Sequence, residues 1–178
     1  MDNNLFKMMF GNIFNSGRIL LRDIQESDAD AIFSYRSLES VARFQYWEPY
    51  TREQTLEFID RCKNPDLSKR REWIGMAIIS KEQNRLIGDC SLKVEDESAE
   101  IGCNISPLYQ GKGFAKEVLK MLISYCFNSI GIKEVYGITD SENEASVRLM
   151  KSAGMIRLTE FEEKLICKGE HKYFIRHI

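Results

Sequence analysis

The sequence predicts a mixed α/β (α+β) domain, and three observations carry that prediction. Several short runs, "EWIGMAIIS", "RLIGDCSLKV" and "SAEIGCNIS", alternate apolar and polar residues as half-buried strands do. Elsewhere the apolar residues recur at helical spacing, most plainly from Gly113 to Cys126. The 178 residues, 43% hydrophobic, suit one domain, with no Pro-, Gly- or Ser-rich linker, repeat or low-complexity tract. We expect one domain with one core over residues 17–178, preceded by an extension over residues 1–16.

In chain order, "RILLR" reads as a strand and "QESDADAIFSYRS" as a helix, with Ser27 or Asp28 as its cap and Ala31, Ile32 and Tyr35 on one face. "VARFQYWEPYT" is aromatic and irregular, broken by Pro49, and "TREQTLEFIDRC" resumes helical spacing with Thr51 and Gln54 in capping-box positions. The three alternating runs then form an antiparallel meander, turned by "KEQN" and "EDES". A helix follows whose stripe is Phe114, Ala115, Val118, Leu119, Leu122 and Cys126. "KEVYGIT" is a strand. "SENEASVRLMKSAG" is a helix opened by a Ser141/Glu144 capping box and stopped by Gly154, and "MIRLTEF" and "KYFIRHI" are two last strands.

Composition excludes some functions. A net charge of -2 offers no general attraction for nucleic acid or anionic membrane. Five scattered cysteines without a C-x-x-C pair argue against a disulfide framework and a zinc site, and read as buried thiols of a reducing compartment. The two histidines, His171 and His177, lie near the C-terminus, which leaves few residues for a metal site or a Ser-His-Asp triad; no metal is expected. At the other end Asn3, Asn4, Lys7, Asn12 and Asn15 interrupt the apolar residues too often for a signal-peptide core or a membrane span, so a cytoplasmic protein is expected. The extension packs on the domain or on a second subunit; a homodimer is one of two open expectations.

"PLYQGKGFAKEVL" places Gly111 and Gly113 between a strand and a helix, where backbone N–H groups have no partner within the helix and can hold an anion. A nucleoside-triphosphatase loop, G-x-x-x-x-G-K-S/T, does not fit, because Lys112 is followed by Gly113 and no glycine stands five residues before Gly111. A dinucleotide motif, G-x-G-x-x-G, fails at Lys116. Read as Q-x-x-G-x-A, Gln110, Gly113 and Ala115 match the Q/R-x-x-G-x-G/A signature of the GCN5-related N-acetyltransferase (GNAT) family, and "AEIGCNISPLYQGKGFAKEVLKMLISY" resembles that family's central strand, loop and helix. "RILLRDIQESDADAIFSY" resembles the opening of its RimJ/RimL-like branch, and "NEASVRLMKSAGM" its later N-x-x-S-x-x-L helix; together the matches run from about Arg18 to the C-terminus in family order. The resemblance implies a GNAT fold, a mixed, mostly antiparallel twisted central sheet of about six to seven strands flanked by about four helices. It also implies acetyl-CoA as cosubstrate, held by Cys103, Asn104 and Ile105 of the strand, by Gln110, Gly111, Lys112, Gly113, Phe114 and Ala115 of the loop, and by Asn143 and Ser146. Lys112 is open to two readings, a phosphate contact or a solvated loop lysine.

Acetyl transfer to an amine needs a base to free the amine of its proton. In "SAEIGCNIS", Ile101, Cys103 and Ile105 share one face and Glu100, Gly102 and Asn104 the other, so Glu100 lies away from the apolar face. It is either the base, the role the resemblance implies, or an ordinary strand-edge glutamate. The family commonly has a bulge in this strand, which would alter the alternation. Cys103 reads as a buried thiol, while a backbone N–H near Cys103 or Asn104 is the natural donor to a developing oxyanion. Many family members carry a tyrosine acid where this chain has Met150, after Leu149; with no proton to give there, Ser146 or water assists the leaving thiolate, or no acid is needed. For the acceptor, Phe44, Tyr46, Trp47 and Glu48 mark the aromatic loop, which lines a pocket or covers the core. Two functions from different classes stand. One is an N-acetyltransferase acting in a ternary complex on a primary amine, either a protein N-terminus such as a ribosomal protein's or a small molecule. The other is a non-catalytic acyl-CoA-binding domain.

Overall fold

The computed structural model describes residues 15–63, 72–140 and 142–158, and the backbone of residues 170–176. A seven-stranded sheet runs through it in the order β1-β2-β3-β4-β5-β7-β6. The strands are β1 (Ile19–Asp23), β2 (Trp73–Ser80), β3 (Arg85–Glu95), β4 (Ser98–Ile105), β5 (Glu134–Asp140), β6 (Ile156–Arg157) and β7 (Glu170–Arg176). Every pairing is antiparallel except β4 with β5. The helices are α1 (Ala29–Arg36), the single turn α2 (Glu39–Ala42), α3 (Arg52–Lys63), α4 (Phe114–Asn128) and α5 (Glu144–Ser152). The expected mixed sheet and helices are thus present.

The β2–β3–β4 meander turns at Asn84 and Asp96, both at positive φ, a conformation that Asn and Asp tolerate better than most residues. No register shift interrupts the β3–β4 ladder from Gly88↔Ile105 to Glu95↔Ser98, so the bulge expected in the central strand is not there. It lies instead in the β2–β3 pair, where Ile78 faces Gly88 and Ile79 faces Leu86, leaving Ile87 as the extra residue. The extra residue puts Ile87 on the same side as Cys90 and Leu92, in the cluster that packs against α4, while Asp89, Ser91 and Lys93 point the other way.

The apolar residues form two main clusters on opposite faces of the sheet, not the single core expected. Ile19, Met76, Ile78, Leu92 and Ile101 pack on Val118, Leu122 and Cys126 of α4. Ala77 and Ile79 pack on Ile32, Tyr35 and Ile59 of α1 and α3. A sheet with helices on both sides must bury both faces.

Local signals explain the helix ends. Thr51 and Gln54 form the capping box at α3, with Thr51 N–H donating to Gln54 Oε1 at 2.8 Å and Gln54 N–H to Thr51 Oγ1 at 3.2 Å. Neither Ser27 nor Asp28 caps α1 with its side chain; a 3₁₀ turn over Glu26–Asp28 leads in, and Asp28 receives Gln25 N–H at 2.8 Å. At α5 the cap is Asn143, whose Oδ1 accepts Ser146 N–H at 3.1 Å, in place of the Ser141 box. Gly154, at φ +91°, ends that helix as expected. Ser141, residues 1–14 of the extension, residues 159–161 of the "MIRLTEF" run and His177 lie outside the described residues. No helix among the described residues is long and apolar enough to cross a membrane.

Candidate active site

The parallel pairing of β4 with β5 covers Ser98↔Glu134, Ala99↔Val135 and Glu100↔Tyr136. Beyond those pairs the two strands diverge. The far edge of β4 beyond Glu100 therefore faces a wedge, with the outward backbone groups of Ile101 and Cys103 taken by no neighbouring strand among the described residues. Gly137 sits where the wedge opens, and a Cβ there would lie 2.9 Å from Met150 Cε and 3.3 Å from the Ile101 carbonyl. A cleft of about 580 Å³ runs from this wedge, walled by Asn104, Thr139, Asn143, Ser146 and Met150, to the aromatic loop. Such a volume is typical of a small-molecule site.

At the end of β4 the chain turns through a 3₁₀ segment, Pro107–Tyr109, into the glycine loop. Gly111 and Gly113 adopt φ of +73° and +81°, and Gly113 is the N-cap of α4 without any side-chain cap. The first N–H groups of α4 are consequently open, at the positive end of a 15-residue helix. This opening fits a diphosphate of the kind acetyl-CoA carries. The loop's side chains serve to brace it. Gln110 Nε2 donates to the Ile105 carbonyl at 2.9 Å, and Lys112 Nζ donates to the Leu108 carbonyl at 3.3 Å while lying 5.3 Å from the Tyr109 ring centroid. Phe114 and Ala115 pack against the core, and Ile105 is buried in it. Arg18, a residue the sequence reading did not single out, ties the loop down: its Nη1 donates to the Lys112 carbonyl at 3.0 Å, it pairs with Glu117 at 2.6 Å, and it lies over the Phe114 ring.

At the other end Phe44, Tyr46 and Trp47 line the cleft, with Trp47 also packing on the core, whereas Glu48 is exposed and does not line it. What organises this wall is Arg36, which is 5% exposed and pairs with Asp89 through two nitrogens, Nε at 3.0 Å and Nη2 at 2.6 Å. Its guanidinium lies 3.9 Å from the ring centroid of Phe58, 4.8 Å from Trp47 and 5.1 Å from Tyr50. Asp89 also receives Tyr35 Oη at 2.7 Å and Asn104 Nδ2 at 3.2 Å. Burial works against the Arg36 charge, but the Asp89 carboxylate outweighs it and holds the pKa above the ordinary value. The aromatic loop, α1 and the central strand thus meet at one carboxylate.

Glu100 lies beside the point where β4 and β5 part, lines the cleft, and is 7% exposed. Its Oε2 meets Lys93 Nζ at 2.6 Å, across the β3–β4 ladder. Burial disfavours the Lys93 ammonium, yet the carboxylates of Glu100 and Glu95 raise its pKa all the same. Cys103 is a partly exposed residue with an enclosed thiol; burial, with Asp89 adding to it, pushes that thiol up to about 12. It is therefore protonated at neutral pH, as the buried-thiol reading expects.

Asn104, Asn143 and Ser146 meet Glu100 in the cleft, while Gln110 to Ala115 stand outside it at the start of α4. The sequence reading missed Arg36, Asp89, Lys93, Glu72 and Trp73. The alternation of Asp89, Ser91 and Lys93 in "RLIGDCSLKV" was the available signal for two of them, since it marks a polar face running into the same layer as Glu100.

The acetyltransferase (GNAT) domain family matches residues 18–156. The uncharacterized N-acetyltransferase YoaA of Bacillus subtilis is 32% identical over 146 residues, covering 80% of this chain and 81% of the relative. A spermidine N(1)-acetyltransferase of Escherichia coli is 26% identical over 158 residues, covering 89% and 83%. Among solved structures, a GNAT-family acetyltransferase from Bacillus anthracis superposes with a TM-score of 0.78 at 25% identity, covering 91% of this chain and 96% of that one. A spermidine N-acetyltransferase from Vibrio cholerae, in complex with CoA and spermine, gives 0.73 at 21% identity, covering 90% and 96%.

Proposed function

This chain belongs to the GNAT acetyltransferase family and is an N-acetyltransferase with acetyl-CoA as cosubstrate, and from that premise we propose that it acetylates the primary amine of a small molecule rather than a protein N-terminus. The observation that carries the reading is the single cleft that joins the β4–β5 wedge to an aromatic acceptor wall, with Glu100 between them. The relatives named for spermidine favour a small amine over the ribosomal-protein N-terminus to which the RimJ/RimL-like resemblance pointed.

Each role follows from position. When bound, acetyl-CoA supplies a thioester whose acyl carbon is open to an amine. The open N–H groups of Gly111 to Ala115 hold its diphosphate, braced by Gln110 and Arg18. Asn143 and Ser146 line the path of the pantetheine arm. The backbone N–H of Cys103, on the unpaired edge of β4, donates to the developing oxyanion. Glu100 takes the amine's proton, directly or through one water, and Lys93 holds its carboxylate in place. Ser146 or water protonates the departing thiolate, because Met150, 7% exposed at the wedge, has no proton to give.

The test is thiol release from acetyl-CoA in the presence of small amines and of N-terminal peptides. Glu100→Gln is expected to lower kcat about a hundredfold and to alter the pH profile of kcat/KM, with acetyl-CoA affinity kept within about twofold. Peptide acetylation without small-amine acetylation would overturn the acceptor reading. Met150 is the residue that favours the non-catalytic alternative, and acetyl-CoA binding without release to any amine would establish it.

A further inference from the structure

Resting on the proposed acetyl transfer to a small amine, we infer that the acceptor nitrogen is seated over Gly102 and held there by the Ser91 hydroxyl, which makes Ser91 a catalytic residue beside Glu100. Four glycines stand inside strands, Gly75, Gly88, Gly102 and Gly137. The fold accounts for three of them. A Cβ at Gly75 would run into Cys62 Sγ, one at Gly88 into the Asn104 carbonyl, and one at Gly137 would lie 2.9 Å from Met150 Cε. Gly102 is different. Its backbone lies outside the left-handed region and no bulge interrupts its ladder with β3. Among the described residues, what an added Cβ would meet is Ser91 Oγ at 3.5 Å, an ordinary contact. A glycine in a strand interior costs stability relative to alanine, and where no bulge, bend or neighbouring chain calls for it, it leaves room for a ligand.

That room opens on the floor of the cleft. Gly102 and Ser91 face each other across the β3–β4 ladder, and both line the cleft together with Glu100. The rows on either side are engaged by the protein itself, Lys93 with Glu100 at 2.6 Å and Asp89 with Asn104 at 3.2 Å. Between them the Ser91 hydroxyl is hydrogen-bonded to nothing in the described chain, and its oxygen is not shut off from solvent. A hydroxyl oxygen in that state can accept an N–H from a ligand.

Strand geometry places the base within reach. Glu100 stands two residues from Gly102 on the same face, about 6.8 Å along the strand, a gap that its side chain or one bridging water spans. Once Glu100 has taken the ammonium proton, the neutral amine has two N–H bonds and a lone pair. Ser91 Oγ accepts one N–H and the Glu100 side takes the other, which leaves the lone pair facing the thioester carbon at the wedge, where the C–N bond forms as the C–S bond breaks. Of the two N–H protons, one goes to the departing thiolate through Ser146 or water, and the one held at Ser91 stays on the amide product.

The experiment measures acetylation of n-butylamine by the wild type, Ser91→Ala, Gly102→Ala and the double variant, with thermal unfolding and acetyl-CoA calorimetry on each. Ser91→Ala gives up no side-chain bond within the described chain. Its Tm and acetyl-CoA affinity are expected to match the wild type, while kcat/KM for the amine falls about tenfold, the scale of one hydrogen bond to a group gaining charge. Gly102→Ala is expected to unfold at no lower a temperature than the wild type and to lose at least as much activity. Because both changes act on one nitrogen, adding Ser91→Ala to Gly102→Ala should cost little more. Losses that multiply, an unchanged rate in either single variant, or a lowered Tm in Gly102→Ala would overturn the proposal. A second readout needs no turnover: the amide NMR signals of Ser91 and Gly102 in the CoA-saturated protein are expected to shift on titration with n-butylamine, and less so in Gly102→Ala. Such shifts without acetyl product would uphold the seat and overturn the transfer reading. Product formed with shifts centred elsewhere would uphold transfer and overturn the seat.

Discussion

Removing the Asp89 carboxylate would leave the Arg36 guanidinium buried among ring faces, with Tyr35 Oη and Asn104 Nδ2 also deprived of their acceptor. Stranding one member of a buried pair is far more damaging than replacing both, since the remaining charge keeps its desolvation cost and loses its compensation. Asp89→Ala is accordingly expected to lower the unfolding free energy by about 3–5 kcal/mol in a urea titration. Arg36→Met combined with Asp89→Leu removes the charge together with its partner and should recover most of that loss. Turnover should stay low in the double variant, because Asn104, at the wedge, is still without its anchor. A double variant as unstable as Asp89→Ala would count against charge compensation as the source of the effect. None of this was visible in the sequence: Arg36 and Asp89 are 53 residues apart, and an arginine near the end of a helix reads as a solvated residue until the sheet is placed beneath it.

The diphosphate site proposed at the start of helix α4 rests on a glycine rather than on any charged side chain. At Gly113 the backbone is left-handed and nothing caps the N–H groups that follow. A β-branched residue there faces a conformational cost of about 1–2 kcal/mol, which the chain can relieve only by turning those N–H groups away. Gly113→Val is expected to remove detectable acetyl-CoA binding in calorimetry while circular dichroism reports a folded protein. Gly131→Val is the control, for that glycine has a similar φ of +70°, open space where a Cβ would go, and a place past the other end of the helix. It should lose comparable stability and keep its affinity; equal loss of affinity in both would indicate a general effect of strain. Elements of this kind were legible in the sequence because their signals are local. "SAEIGCNIS" and "RLIGDCSLKV" gave strand ends within a residue of β4 and β3 by alternation alone, and the Thr51/Gln54 box marked the start of α3. The α5 cap was misplaced onto Ser141 because Asn143 offers the same chemistry two residues later. Short-range periodicity could not show that β4 and β5 pair over three positions and then part, since their paired residues lie some thirty-six positions apart along the chain.

The proposed reading brings the two substrates together from opposite ends of one continuous space. Asn104, Asn143 and Ser146 wall the end at the β4–β5 wedge, Phe44, Trp47 and Trp73 the other, and no segment of the described chain divides them. A cleft so built favours direct transfer, with both molecules present at once and the amine held against the thioester. A covalent route would need a nucleophile between them. The thiol best placed for it, Cys103, is pushed up to about 12 by burial, with the Asp89 charge adding to the effect, so almost none of it is thiolate at neutral pH. Initial rates measured with both substrates varied should therefore give intersecting double-reciprocal lines. Intact mass after incubation with acetyl-CoA alone should show no acetylated protein, and Cys103→Ala should retain the same kinetic pattern. Parallel lines, or an acetyl group found on Cys103, would mean that the acyl group pauses on the enzyme. The unpaired edge of β4 would then serve to hold an acyl-enzyme rather than to align two substrates.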